Sequence, residues 1–117
     1  MIIAENTHLL YIEPKGVPSK EPLIDDLTKK MTECFRQASP KDYYKGFHEC
    51  CCGASDSACD FTLKSGIITN SLCVHYLAFH RDEVPRTELA KLVVETLGLT
   101  GVEPTAKELA YPKKYVW

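Results

Sequence analysis

The chain of 117 residues falls in the single-domain range, and its 44% hydrophobic and 26% charged content is that of a globular domain, not of a disordered or membrane-embedded chain. With 14 basic against 16 acidic side chains, the net charge of -2 excludes the basic footprint expected of a nucleic-acid or anionic-membrane binder. No apolar run approaches the roughly 20 residues of a membrane span, and Met1-Ile2-Ile3-Ala4-Glu5 lacks the basic start of a secretory leader. These features predict one domain over 1–117 in the cytoplasm, where six cysteines stay reduced.

In chain order, the first element is the apolar run His8 to Glu13, a strand closed by Pro14, Gly16 and Pro18. Ser19 then reads as the N-cap of a helix over 20–38, whose apolar side carries Ile24, Leu27, Met31, Cys34, Phe35 and Ala38 at three-to-four spacing. Cys34 lies on that stripe and is read as a small core residue. The aromatic stretch after Ser39-Pro40 predicts a strand over 43–51. Residues 59–63 and 66–69 flank Lys64-Ser65-Gly66 and read as a β-hairpin. Asn70 or Ser71 caps a helix over 71–82, and Pro85 opens another over 86–98 that is stopped by Gly98. Leu89, Leu92, Val93 and Leu97 form the expected buried face of that helix. A short helix from Thr105 to Ala110 precedes a tail, Tyr111 to Trp117, whose aromatics call for a docking place. The fold expected is α+β, a small mainly antiparallel sheet packed against three helices, with most of the core supplied by the helices at 20–38 and 86–98.

Four of the six cysteines, Cys50, Cys51, Cys52 and Cys59, and three of the four histidines, His48, His75 and His80, lie in one 33-residue window. Zinc takes four ligands of thiolate and imidazole type in a tetrahedron, and Cys50-x-Cys52, 22 residues, then His75-x4-His80 supplies such a set. On an extended strand, His48, Cys50 and Cys52 point to one side and Cys51 to the other. β-carbons two residues apart are about 7 Å apart, so Cys50 and Cys52 are the favoured pair, with His48 in reserve. Gly53 permits a tight turn after them. On an ideal helix His75 and His80 lie about 140° apart, whereas Cys73 and His80 nearly share a face. Either the helix loosens at His80, as Arg81-Asp82-Glu83-Val84-Pro85 suggests, or only one histidine binds, with Cys73 plus His80 as a variant ligand pair. Asp82 or Glu83 is placed to orient a ligating His80. Cys51 and Cys59 read as packing or redox-accessible thiols.

Sharper signatures are missing. His48-Glu49-Cys50-Cys51-Cys52 starts like HExxH but has a cysteine where the second histidine belongs, and no phosphate-binding glycine loop occurs. The H-x-E and P-C-x-x-C pair of zinc deaminases is absent as well. A Cys–His nucleophile has the residue types, with Asp56 or Asp60 as orienting acid, but no local pattern. The sequence therefore predicts a metal centre of Cys50, Cys52, His75 and His80 holding zinc in a mainly structural role. The domain would be an interaction module for a protein partner or a homo-oligomer, with neither nucleic acid nor membrane as partner. A thiol or zinc enzyme with an open coordination position is the alternative.

Overall fold

The computed structural model describes residues 8–114, with the backbone alone at 41–47 and 57–59. Among these residues the chain is an α+β domain. Its elements are β1 (His8–Leu9), α1 (Asp26–Arg36), β2 (Ser39–Glu49), β3 (Ser55–Thr62), β4 (Ile68–Asn70), α2 (Cys73–Phe79), a 3₁₀ turn (Arg81–Glu83), α3 (Arg86–Glu95) and α4 (Ala106–Leu109). The sheet runs β1-β4-β3-β2, antiparallel except for the parallel β1–β4 pair. The expected hairpin forms at β3–β4, with Leu63 N donating to Ile67 O at 2.7 Å and Gly66 at φ 100° in the turn.

Several elements are shorter than the sequence pattern predicts, each for a local reason. β1 stops after two residues because Leu10 adopts φ 61°, turning its N–H to Glu88 Oε1 at 2.7 Å instead of along the ladder. α1 begins at Asp26, capped by Asp25, whose carboxylate accepts from Thr28 N at 3.0 Å. Ser19 is not its cap. The segment before α1 is non-helical, bending at Lys20 and Glu21, and satisfies the open end of α2: Ser19 N donates to Phe79 O at 2.9 Å and Leu23 N to Ala78 O at 2.8 Å. Neither Asn70 nor Ser71 caps α2, whose N-cap is Leu72. Instead the Asn70 side chain accepts from Leu72 N at 2.8 Å and so turns the chain from β4 into the helix. At the far end of the chain, Thr105 is the N-cap of α4 and forms a reciprocal capping box with Glu108.

The core is centred on α2, not on α1 and α3. Every residue from Cys73 to Phe79 is buried, and α1 and α4 pack on this helix, while Leu9, Leu10 and Leu63 reach it from the sheet side of the core cluster. Met31 and Cys34 of α1 are buried as their spacing predicts, and the Phe35 ring meets Phe61 of β3 with centroids 4.7 Å apart. α3 contributes Leu92 fully and Leu89 partly. Val93 and Leu97, expected inside, are 53% and 72% exposed, because the packed side of α3 is the narrow row centred on Leu92. Tyr115 to Trp117 lie outside the described residues.

Candidate metal centre

The site is assembled from a tight turn and from the end of the central helix. Cys50 follows β2 directly, and the turn is closed by Gly53 N donating to Cys50 O at 2.9 Å and Cys50 N to Ala54 O at 2.8 Å. Gly53 sits at φ 88°, and a β-carbon there would lie 3.2 Å from Lys113 Cβ and 3.3 Å from Lys114 N, so both backbone and space call for glycine. The Cys52 carbonyl accepts from Lys113 N and Lys114 N, each at 2.9 Å, which fastens the turn to the chain after α4. The strand reading of 43–51 therefore fails at its end: β2 stops at Glu49, and Cys50 and Cys52 come together through a turn, not through strand alternation.

The histidines solve their angular mismatch by leaving the helix. His75 is within α2, whereas His80 is the residue after it, with φ -130° and ψ 36°, before the 3₁₀ turn begins. That non-helical conformation swings the His80 ring back beside His75, with ring centroids 5.2 Å apart. One donor atom from each of Cys50, Cys52, His75 and His80 then lies within 4.8 Å of every other. Cys52 and His75 are 0% exposed, His80 2% and Cys50 3%. Cys50 Sγ is 3.2 Å from His80 Nε2, and Cys52 Sγ is 3.3 Å from His75 Nε2. A tetrahedral zinc with Zn–S of about 2.3 Å and Zn–N of about 2.0 Å places sulfur and nitrogen roughly 3.5 Å apart. The observed spacing is within a few tenths of an ångström of that figure.

The outer nitrogens fix which lone pairs face inward. His75 Nδ1 lies 3.0 Å from the Leu109 carbonyl, which can only accept, so Nδ1 carries the proton and Nε2 presents its lone pair to the cluster. His80 Nδ1 faces Glu83 Oε2 at 3.4 Å, an ion-pair distance rather than a formed hydrogen bond, which selects the same tautomer. Glu83 is itself held by Lys15 N at 2.8 Å and Gly16 N at 3.1 Å. Carbonyl and carboxylate acceptors behind ligating imidazoles are the usual outer shell of a metal site.

The electrostatics agree with that arrangement. Burial pushes His75 down to about 4, against the opposing hydrogen bond to Leu109, and burial also lowers His80 against the pull of Glu83. Both rings are neutral at pH 7, the form that binds metal. Burial raises the Cys50 thiol; the Cys52 backbone N–H opposes this shift and the adjacent Cys52 sulfur adds to it. The buried Cys50 thiol is thus poised to ionise only when a cation compensates it.

His48 is not part of the group; its Nε2 lies 3.8 Å from Asp60 Oδ1 on the sheet. Cys73 is fully buried and also outside it, with its thiol pushed up to about 12 by burial. Cys51 sits half-buried at the turn's apex, and the side chain of Cys59 lies outside the described residues. Cys34, Cys50, Cys51, Cys52 and Cys73 are all free thiols. Of the orienting groups, the sequence offered Asp82 or Glu83, and Glu83 is the one that faces His80. The Leu109 carbonyl and the amides of Lys113 and Lys114 were not legible there, because backbone groups of a distant segment leave no residue-type signal. Comparison of the chain with protein-family models, with curated proteins and with solved structures finds no match.

Proposed function

We propose that Cys50, Cys52, His75 and His80 hold one zinc ion, that the ion is mainly structural, and that the chain acts as an interaction module within a single domain. The observation that carries this reading is the convergence of four buried donor atoms within 4.8 Å, with both imidazoles oriented from behind. Two thiolates and two imidazoles in a tetrahedral set suit zinc. Two thiolates and a divalent cation also sum to zero charge, which relieves the penalty of burying ions. The ion would tie the Cys50–Gly53 turn to α2 and, through the Leu109 carbonyl, to α4, so its binding energy is also folding energy.

A complete four-ligand set leaves no coordination position for a reacting water, which favours the module over an enzyme. The exposed apolar residues Val93, Val94 and Leu97 on and just beyond α3 support the same choice, since apolar rows of this kind mark contact surfaces for a protein partner or a second copy. Among the described residues no helix is long and apolar enough to cross a membrane. The reading requires reduced thiols, as the cytoplasm maintains. Protein purified without a histidine tag and without chelator should contain close to one zinc per chain, and chelation should lower its melting temperature. Material that neither carries a transition metal nor takes up Zn²⁺ or Co²⁺ overturns the proposal.

A further inference from the structure

A cavity that shares no residue with the metal centre lies at one end of the sheet. Strands β1, β2 and β4 run in the same direction. A depression of about 320 Å³ opens where they end, between Tyr11 to Glu13 beyond β1, His48 and Glu49 closing β2, and Asn70 closing β4. Tyr76 of α2 completes the wall. Much of this wall is held in place. The Tyr11 hydroxyl donates to Asp60 Oδ1 at 2.7 Å, and the Tyr11 ring meets His8 edge-on. Asn70 is fixed twice, its amide donating to Leu10 O at 2.6 Å and its oxygen accepting from Leu72 N at 2.8 Å. One polar group is left over. Tyr76 is only 6% exposed, yet among the described residues its hydroxyl has no hydrogen-bond partner, and its oxygen is not sealed from solvent. Only water in the cavity, or a ligand that replaces it, can pair with that hydroxyl.

We propose that this cavity binds an organic cation, an ammonium or guanidinium group carried on a short carbon stem. Glu13 and Glu49 bring two carboxylates to it from separate segments of the chain, and none of the residues lining it is Lys or Arg. Its remaining wall includes the two tyrosines and Ile12. That lining matches a cation with both N–H donors and carbon surface: the donors pair with the carboxylates and the Tyr76 oxygen, and the stem lies on Ile12 and the aromatic rings. A bare divalent ion fits less well, because it needs several oxygens around one point. Among the described residues the only His, Cys, Asp and Glu side chains grouped closely enough for an ion are Cys50, Cys52, His75 and His80. The same chemistry is offered by a free amine and by the lysine or arginine side chain of a protein partner. Binding here requires no ion at the Cys/His centre, so the proposal is independent of the metal reading.

The test titrates the full chain, as purified, with butylguanidinium, butylammonium and a capped peptide containing one arginine, following the backbone amide signals of Tyr11, Glu49 and Asn70 by NMR. The cations should move these signals saturably at millimolar concentration, and butyrate should not. Tyr76→Phe should weaken binding by about fivefold with a melting temperature equal to or above wild type, because the hydroxyl has no protein partner to lose. Glu13→Gln and Glu49→Gln, at exposed positions, should each weaken it by about threefold. These two variants keep the test open if Tyr76→Phe fails to fold. Tighter binding of the peptide than of the free cations assigns the site to a protein side chain, and exclusion of the peptide assigns it to a small amine; either result supports the cavity. No response to any of the cations overturns the proposal, as does an equal response to butyrate. Unchanged affinity in Tyr76→Phe and both glutamine variants overturns it too, and so does Ca²⁺ moving the same signals more strongly than the organic cations.

Discussion

Replacing Cys52 by serine removes one of four donors from a position that is 0% exposed, so no water can take its place. Structural zinc contributes on the order of 10–16 kcal/mol in small domains, so one thiolate of four is worth roughly 3 kcal/mol, before any penalty for a buried hydroxyl. Domain stabilities of about 5–15 kcal/mol make that a large fraction of the total. For a chain of this length, Cys52→Ser should lower the melting temperature by about 10 °C or more. Circular-dichroism melts with and without chelator give the decisive comparison. Chelator should lower the wild-type melt strongly and the variant's hardly at all, because both perturbations remove the same interaction. Additive losses would show that Cys52 stabilises by packing alone, and a variant that melts like wild type would refute the metal centre's structural role.

Asp25 caps α1 and pairs with Arg81 at 2.8 Å, and the Arg81 hydrogen bond holds its carboxyl down at about 2. Because the folded value is below the unfolded one, its contribution is complete above about pH 4 and is lost as pH falls towards 2. Asp25→Ala should lower stability by about 1 kcal/mol, mostly through the lost cap, since the pair is partly solvent-screened. It should also flatten the pH dependence of unfolding between pH 4 and 2, and an acid profile parallel to wild type would count against the assignment. Gly53→Ala should destabilise by about 1–3 kcal/mol through its left-handed backbone and the contacts at Lys113 and Lys114. The same change should weaken metal affinity in a competitive chelator titration, and unchanged affinity would show that the Cys turn is not held by that geometry.

The residue types of the centre and their rough grouping were legible in the chain, because thiolate and imidazole chemistry is written in residue identity. So were the β3–β4 hairpin, marked by Gly66, the Met31–Cys34 face of α1, and the loosened backbone at His80 announced by Arg81 to Pro85. The sequence left open whether Cys73 or His75 pairs with His80, since helical angles alone favoured Cys73. Only the tertiary structure shows which side chains meet: His80 leaves the helix, and the Leu109 carbonyl accepts from His75 Nδ1 while His75 Nε2 lies beside Cys52. The start of α1 was settled the same way, because the carbonyls of Ala78 and Phe79 hold residues 19–23 in a bent, non-helical path. Local propensity fixes which residues favour a helix or a turn. Which backbone groups remain unpaired at the end of α2, and which distant segment satisfies them, depends on how the elements pack, and that pairing places the four donors around one point.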